Sequence, residues 1–151
     1  MAEVAELLDR RAIRLGEQAV DRDDAIRRCG QALVDIGAVS PAYVDAMLAR
    51  ERAISTYVGE GVAIPHSTLE GKAWVRHDAL AVLRFPDGVD WGGEPVAVCV
   101  AIAALGDGHV DLLAELAEIL LDPDRAAALR AVTEVDEVIR LLAPAREDDP
   151  R

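Results

Sequence analysis

Residues 95–104 read PVAVCVAIAA, an apolar run without a single charged side chain. Its β-branched and small residues are typical of a β-strand that is covered on both faces. The glycine-rich break at 106–108 ends the run before a new pattern begins. A strand of this kind occupies the middle of a sheet that has helices on both sides, so the run predicts an α/β fold.

Helical and strand patterns alternate around this run. Five helices are predicted, at 23–36, 40–53, 109–121, 124–131 and 134–142, and in all but the fourth of them apolar residues recur at three- and four-residue steps. Strand-like segments lie at 12–16, at 56–64 as a broken or paired strand, and at 79–85. Some connections are too short for parallel crossovers, so we expect one domain with a mixed parallel and antiparallel sheet flanked by helices on both faces.

Two local signals sharpen this prediction. Ser40-Pro41 is suited to start the second helix, with the Ser40 side chain as its cap. Pro86-Asp87-Gly88 carries turn chemistry and is expected to end the strand at 79–85. The whole chain of 151 residues is predicted to be a single domain, with an ordered core from about 7 to 143 and a frayed tail at 145–151.

Composition limits the possible partners and location. The formal net charge of −12 disfavours binding to nucleic acid or to an anionic membrane, which depends on clustered Lys and Arg. There is no segment of about 18 apolar residues and no signal-peptide pattern at the N-terminus, so we expect a cytoplasmic protein without membrane insertion. Cys29 and Cys99 lie in apolar patterns and are expected to be buried free thiols.

The segment GVAIPHS at 61–67 ends a strand-like run on a histidine. Pro65 fixes its own φ angle and favours an extended conformation at Ile64, so the backbone that carries His66 is stiff. Small residues around it leave the imidazole accessible to a large electrophile such as a phosphoryl group. From the residue type alone, a loop histidine without a role is the more common outcome.

Two further side chains are candidates for the same site. His109 opens a predicted helix, where unpaired N–H groups and the helix dipole favour an anion, although a histidine bonded to the local backbone fits equally well. Arg50 lies near the end of the predicted helix 40–53, where an exposed Arg is usually a solvated charge. His77 has no pattern around it and is expected to be an exposed edge residue.

Other chemistries have weaker support in the sequence. The three histidines form no HxxxH or HxH pair, which disfavours a zinc site. There is no GxSxG for a serine hydrolase, and Lys72, the only lysine, is not part of a Walker A motif.

Four segments together resemble a known family. They are PAYVDAMLARERAISTYVGEGVAIPHSTLEGK, RFPDGVDWG, VAIAALGDGHVDLLAELAEIL and TEVDEVIRLL, and the similarity extends from about residue 7 to 143. They resemble the enzyme IIA domain of the mannitol/fructose class of the sugar phosphotransferase system, and the TYVGEGVAIPHST segment is closest to the mannitol branch.

The resemblance implies a phosphotransferase that carries a phosphoryl group. His66 would accept the group from the phosphocarrier protein HPr and pass it to a cysteine of an enzyme IIB domain. His109 and Arg50 would steady the phosphoryl oxygens, and Glu60 matches an acidic residue beside the site. These donors would neutralise the phosphate without a metal or cofactor. Ser67 stands where the family usually has Gly, and could slightly tighten the approach of a partner.

A second function remains open for a chain with this resemblance. The phosphorylation state of His66 could regulate the binding of a protein outside transport, instead of supplying sugar or polyol uptake. Both functions use the same donor chemistry, so they differ only in where the phosphoryl group goes next.

Overall fold

The computed structural model describes residues 4–105 and 108–142. Five strands are present in these ranges: β1 (Leu8–Arg14), β2 (Tyr57–Gly59), β3 (Val62–Ala63), β4 (Ala79–Trp91) and β5 (Glu94–Ala103). The α-helices are α1 (Arg22–Asp35), α2 (Ala42–Ala53), α3 (Gly108–Leu120), α4 (Pro123–Arg130) and α5 (Val135–Leu142). Short 3₁₀ helices lie at Val4–Leu7 and Leu69–Trp74.

The strands form one mixed sheet in the order β1-β4-β5-β3-β2. β1 is parallel to β4 and β3 is parallel to β5, whereas β4–β5 and β2–β3 are antiparallel pairs. The run at 95–104 therefore supplies the central strand, as predicted. The predicted α/β fold with a mixed sheet is confirmed.

Alternate residues of β5 face two separate parts of the core. Cys99, Ala101 and Ala103 belong to the side that α1 and α2 cover. Val98, Val100 and Ile102 belong to the side that α3, α4 and α5 cover. Successive side chains of a strand point to opposite faces, so a strand buried on both sides must be apolar at every position. This requirement explains why the run has no polar interruption.

Several predicted details differ from the structure. β4 does not end at Pro86 but continues to Trp91, with an irregular register between Arg84 and Val89 that accommodates the Pro-Asp-Gly sequence. The hairpin turn lies instead at Gly92 and Gly93, which both have positive φ, the backbone conformation that tight hairpin turns require. The predicted turn was therefore wrong because a bulge absorbed its residues.

The start of α2 and the first strand also differ. Ser40 makes no side-chain cap to α2; the entry turn is closed by the Tyr43 amide, which donates to the Ser40 carbonyl at 3.0 Å. β1 begins at Leu8, earlier than predicted, because its pairing with β4 extends to Leu80. The paired-strand interpretation of 56–64 is confirmed by β2 and β3.

Both cysteines are buried and free, as predicted. The predicted tail at 145–151 lies outside the described residues. In the described ranges, no helix combines the length and apolar character needed to cross a bilayer.

Candidate active site

His66 lies just beyond the end of β3, on a backbone that is hydrogen-bonded on both sides. The Ile64 amide donates to the Thr56 carbonyl at 3.0 Å, and the Ile102 amide of β5 donates to the Pro65 carbonyl at 3.0 Å. Ile64 and Pro65 are buried, whereas the His66 side chain is only partly buried. The stiff step predicted from Pro65 is thus reinforced by contacts with two neighbouring segments.

The His66 ring is oriented by its own backbone. Nδ1 lies 2.9 Å from the Ile64 carbonyl oxygen. A carbonyl oxygen accepts but cannot donate, so Nδ1 carries the proton in this contact. In the neutral ring, the nucleophilic lone pair is then on Nε2.

An open groove of about 360 Å³ contains His66 and Arg50. We call it the histidine groove, and its walls include Arg50, Thr56, Ile64, His66, Leu113 and Ala117. Arg50 is in the last turn of α2 and its Nη1 donates to the Ile54 carbonyl at 2.5 Å. This contact folds the guanidinium back over the helix end, where the dipole also favours a positive charge.

A small hollow of about 20 Å³ lies on another side of His66. Tyr43, Ser67 and Lys72 are among the residues that line it. Tyr43 Oη donates to the Ile102 carbonyl at 2.7 Å, and burial raises the pKa of this phenol. The Tyr43 hydroxyl is therefore neutral at physiological pH and serves to tie α2 to β5.

Ser67, at the position where the resemblance leads to the expectation of Gly, packs closely against Gly71. Its Oγ donates to the Thr68 carbonyl at 2.8 Å. A Cβ placed on Gly71 would lie 2.5 Å from Ser67 Oγ and 2.7 Å from Ser67 Cβ. Ser67 thus occupies the space that Gly71 leaves in the Leu69–Trp74 helix, and it also lines the small hollow beside His66.

His109 is the second residue of α3, so the predicted helix start is correct to within one residue. Its side chain lies outside the described part of the chain. Leu113 and Ala117, one and two turns further along α3, line the histidine groove. Positions 109, 113 and 117 are spaced by four and share a helix face.

Glu60 is placed differently from the other predicted site residues. It has a positive φ of 56° in the turn between β2 and β3, at the opposite end of this hairpin from His66. Its side chain is exposed, and its backbone carbonyl accepts a hydrogen bond from Arg130 Nη1. Glu60 does not line the histidine groove or the small hollow.

Two residues of this region were not predicted to be functional. Lys72 was noted only as the single lysine, yet it lines the small hollow beside His66. Glu51 is 4% exposed and accepts three hydrogen bonds. A signal for Glu51 existed, because it continues the apolar stripe Val44, Met47 and Leu48, where an acidic residue is unexpected. Across the described residues, no group of three His, Cys, Asp or Glu side chains could hold a metal ion.

Comparison with known proteins places this geometry in a family. The model of the family described as the phosphoenolpyruvate-dependent sugar phosphotransferase system, EIIA 2, matches residues 6–144. The chain belongs to this family. It is thus a phosphotransferase system enzyme IIA component, a phosphotransferase that carries a phosphoryl group, and the resemblance predicted from the sequence is confirmed.

Individual members of the EIIA 2 family cover most of the chain. The mannitol-specific phosphotransferase enzyme IIA component of Staphylococcus aureus (strain Mu50 / ATCC 700699) is 41% identical over 138 residues, which are 89% of this chain and 96% of that protein. The multiphosphoryl transfer protein of Escherichia coli O157:H7 is 41% identical over 135 residues, again 89% of this chain. The chain spans only 36% of that longer protein.

The fold is also shared with a solved complex. A structure of enzyme IIAMTL with phosphorylated enzyme IIBMTL from Escherichia coli contains a chain that matches with a TM-score of 0.83 and 36% identity. The match covers 90% of this chain and 98% of that chain. The single-domain architecture described above is therefore the EIIA fold of this family.

Proposed function

We propose that His66 is the phosphoryl acceptor of this enzyme IIA component, with HPr as donor and a cysteine of an enzyme IIB domain as the next acceptor. The observation that carries the proposal is the Nδ1–Ile64 carbonyl contact of 2.9 Å, because it leaves the lone pair of a neutral imidazole on Nε2. Arg50 in the same groove supplies a fixed positive charge for the phosphoryl oxygens.

The proposed reaction has two in-line transfers. In the first, Nε2 of His66 attacks the phosphorus of phospho-HPr, and the bond between phosphorus and HPr breaks with its electron pair leaving on HPr. In the second, a cysteine thiolate of the IIB domain attacks the same phosphorus, and the Nε2–phosphorus bond breaks with its electron pair returning to Nε2. Such transfers depend on positioning and charge stabilisation more than on other covalent chemistry.

The residues around His66 suit a site that holds a phosphoryl group between partners. Arg50 presents a fork of donors, and Leu113 of α3 lines the same groove. His109 is proposed to add a donor from the first turn of that helix. Glu60 is proposed only as a charge that influences partner docking, since it is exposed and lines neither the histidine groove nor the small hollow.

The proposed partners and pathway follow from charge and from the relatives. A chain with a net charge of −12 attracts a carrier whose docking surface is rimmed by basic side chains. The Staphylococcus aureus relative is mannitol-specific, and the Escherichia coli neighbour was solved with phosphorylated IIBMTL. We therefore propose a cytoplasmic protein that serves mannitol-type uptake through a IIB partner.

The test is phosphorylation by the general phosphotransferase proteins and phosphoenolpyruvate. We expect one acid-labile, base-stable phosphate, located on Nε2 of His66 when phosphorus–nitrogen coupling is measured by NMR. His66→Ala should remove it, whereas His77→Ala, at an exposed histidine, should not. Phosphate on Nδ1, or full labelling of His66→Ala, would contradict the proposal.

Onward transfer separates the carrier from the regulatory alternative. The labelled protein is mixed with a mannitol-type IIB domain and with the same domain lacking its acceptor cysteine. Rapid loss of phosphate to the intact domain alone supports the carrier. A stable phosphoprotein that binds a protein outside transport only in one phosphorylation state supports the regulator.

A further inference from the structure

Glu51 is a buried acidic residue that the proposed chemistry does not use. It lies in the last turn of α2 and is 4% exposed. Its Oε2 accepts from the Thr56 amide at 2.9 Å and from Trp91 Nε1 at 3.0 Å, and its Oε1 accepts from Thr56 Oγ1 at 2.5 Å. Burying a carboxylate costs free energy unless its oxygens accept hydrogen bonds. The three donors offset this cost, but they do not explain why an acidic residue is buried at this position.

From Thr56, a continuous series of hydrogen bonds reaches the His66 ring. The Thr56 carbonyl accepts from the Ile64 amide at 3.0 Å. The Ile64 carbonyl in turn accepts from Nδ1 of His66 at 2.9 Å. The segment that Glu51 holds is thus paired with the residue whose carbonyl contacts the His66 ring.

The same segment also holds Arg50. Arg50 Nη1 donates to the Ile54 carbonyl at 2.5 Å, and the Ile54 amide donates to the Arg50 carbonyl at 3.3 Å. Ile54 lies two residues before Thr56, which Glu51 binds through both its amide and its hydroxyl. Movement of this short segment would displace the guanidinium and the imidazole together.

We propose that Glu51 is the positioning residue of the site, and that it fixes Thr56 so that Arg50 and His66 keep their relative geometry. The inference rests on the proposed function of His66. Trp91 adds a third anchor, because its indole N–H joins the carboxylate to the end of β4. Glu51 therefore links three elements, α2, the segment before β2, and β4, and the residue that it holds in the second of them, Thr56, lines the histidine groove.

A conservative and a disruptive substitution distinguish positioning by hydrogen bonds from other roles. In Glu51→Gln, the amide oxygen can take the place of Oε2 and accept from Thr56 N–H and Trp91 N–H, and the amide NH₂ can donate to Thr56 Oγ. Glu51→Ala leaves all three donors without this acceptor. We expect Glu51→Gln to stay within about threefold of the wild-type transfer rate, and Glu51→Ala to lose about 10- to 100-fold, the scale of a displaced reacting group.

A control variant that is destabilised at another position tests whether loss of stability alone lowers the transfer rate. Leu48→Ala creates a cavity in the same helix, at a residue that is 7% exposed and outside the hydrogen-bond series. Rates are compared per folded molecule at saturating HPr, with Trp91 fluorescence measured in a Trp74→Phe background. Only Glu51→Ala should lower the saturated rate and shift the Trp91 emission.

The ¹⁵N spectrum of His66 gives a readout that needs no transfer. We expect the Nδ1-protonated tautomer in the wild type, Leu48→Ala and Glu51→Gln, and a loss of this preference in Glu51→Ala. If Glu51→Ala keeps the tautomer and matches Leu48→Ala in rate, or if Glu51→Gln fails as badly as Glu51→Ala, the proposal is overturned. If the wild type accepts no phosphate, the proposed function fails, while the spectrum still tests the positioning of His66.

Should Glu51→Ala not fold, Thr56→Val, which lacks only the hydroxyl donor, is compared with Thr56→Ser. Equal transfer rates and equal spectra for these two variants would also overturn the proposal.

Discussion

Arg50 and His66 line one groove, and a backbone carbonyl orients each of them: Ile54 for Arg50 and Ile64 for His66. The two carbonyls belong to segments that pair directly, since the Ile64 amide donates to the Thr56 carbonyl at 3.0 Å. The Arg50 guanidinium and the His66 imidazole are thus oriented by main-chain contacts, so their geometry does not depend on exposed side chains.

Arg50→Gln should slow phosphoryl transfer to His66 by about 100-fold, because it removes a fixed charge from the developing transition state. The rate is measured from labelled phospho-HPr. Arg52→Gln is the control: Arg52 is in the same helix turn, but its side chain is 64% exposed and lies 3.8 Å from Asp23. A surface pair of this kind contributes little, so Arg52→Gln should change the rate by less than about twofold. Equal effects of the two changes would contradict the assignment of Arg50.

Lys72→Met should slow transfer by about tenfold, because a second positive charge lines the hollow beside His66. Lys72→Arg should retain most of the rate, since the charge is kept. Arg27→Met, at an exposed residue of α1, makes the same change in net charge and is the control. If Lys72→Met and Arg27→Met have the same small effect on the transfer rate, the charge of Lys72 acts only through the net charge of the protein, not through its position beside His66.

Gly71→Ala should destabilise the protein by about 1–3 kcal/mol, because the new methyl group would overlap Ser67 and lie 2.9 Å from Ala46 Cβ. Ser67→Gly removes two of these three close contacts, so the double variant should recover part of the loss. Urea unfolding of the four proteins gives the coupling energy, which we expect to be about 1 kcal/mol. If the changes in unfolding free energy of the two single variants simply add in the double variant, the Ser67 loop moves away from the new methyl group without cost.

Ser67→Gly alone should change the transfer rate by less than about threefold. The hydroxyl donates to the Thr68 carbonyl at 2.8 Å and is directed to its own loop. The measurement is transfer from HPr and onward to the IIB domain, at subsaturating and saturating concentrations. A large gain in affinity for either partner would instead favour the expectation that Ser67 hinders docking.

Neither cysteine should react with a thiol reagent in the native protein. Both are buried, and burial raises the pKa of the Cys99 thiol, so the reactive thiolate is disfavoured. Two thiols should become reactive on unfolding in urea, with a rate that follows the unfolding transition. Fast reaction of one thiol in the folded protein would contradict the buried position.

The fold was largely predictable from the sequence, because its strongest signals are periodic. The apolar run at 95–104 had to be a central strand, and the stripe of residues 26, 29, 33 and 36 had to be a helix. The turn predicted at Pro86 was wrong, because Pro, Asp and Gly occur both in turns and in β-bulges. Pairing of β4 with β5 decides which of the two these residues form. Local propensity does not contain that pairing.

The candidate site was predictable only in part. His66, Arg50 and the helix start at His109 were found from local patterns and from the resemblance, and the structure brings Arg50, His66 and the α3 face of Leu113 to one groove. Glu60 was included from the resemblance, yet lies at the far end of the β2–β3 hairpin. Lys72 carried no motif of its own, and Glu51 was marked only by its place on the apolar stripe of α2, so the position of both relative to the site became visible only in three dimensions.

The sequence by itself determined which segments are strands and helices, which family the chain resembles and which histidine ends a stiff strand. These properties depend on residues close together in the chain, or on the order of motifs along it. Tertiary structure alone decided the tautomer of His66, the direction of Arg50 and the burial of Glu51. The His66–Ile64 and Arg50–Ile54 contacts join residues two and four positions apart, but the backbone path that allows them is held by the pairing of Ile64 with Thr56. The Trp91 contact to Glu51 likewise depends on how β4 packs against α2, and no local pattern specifies such packing.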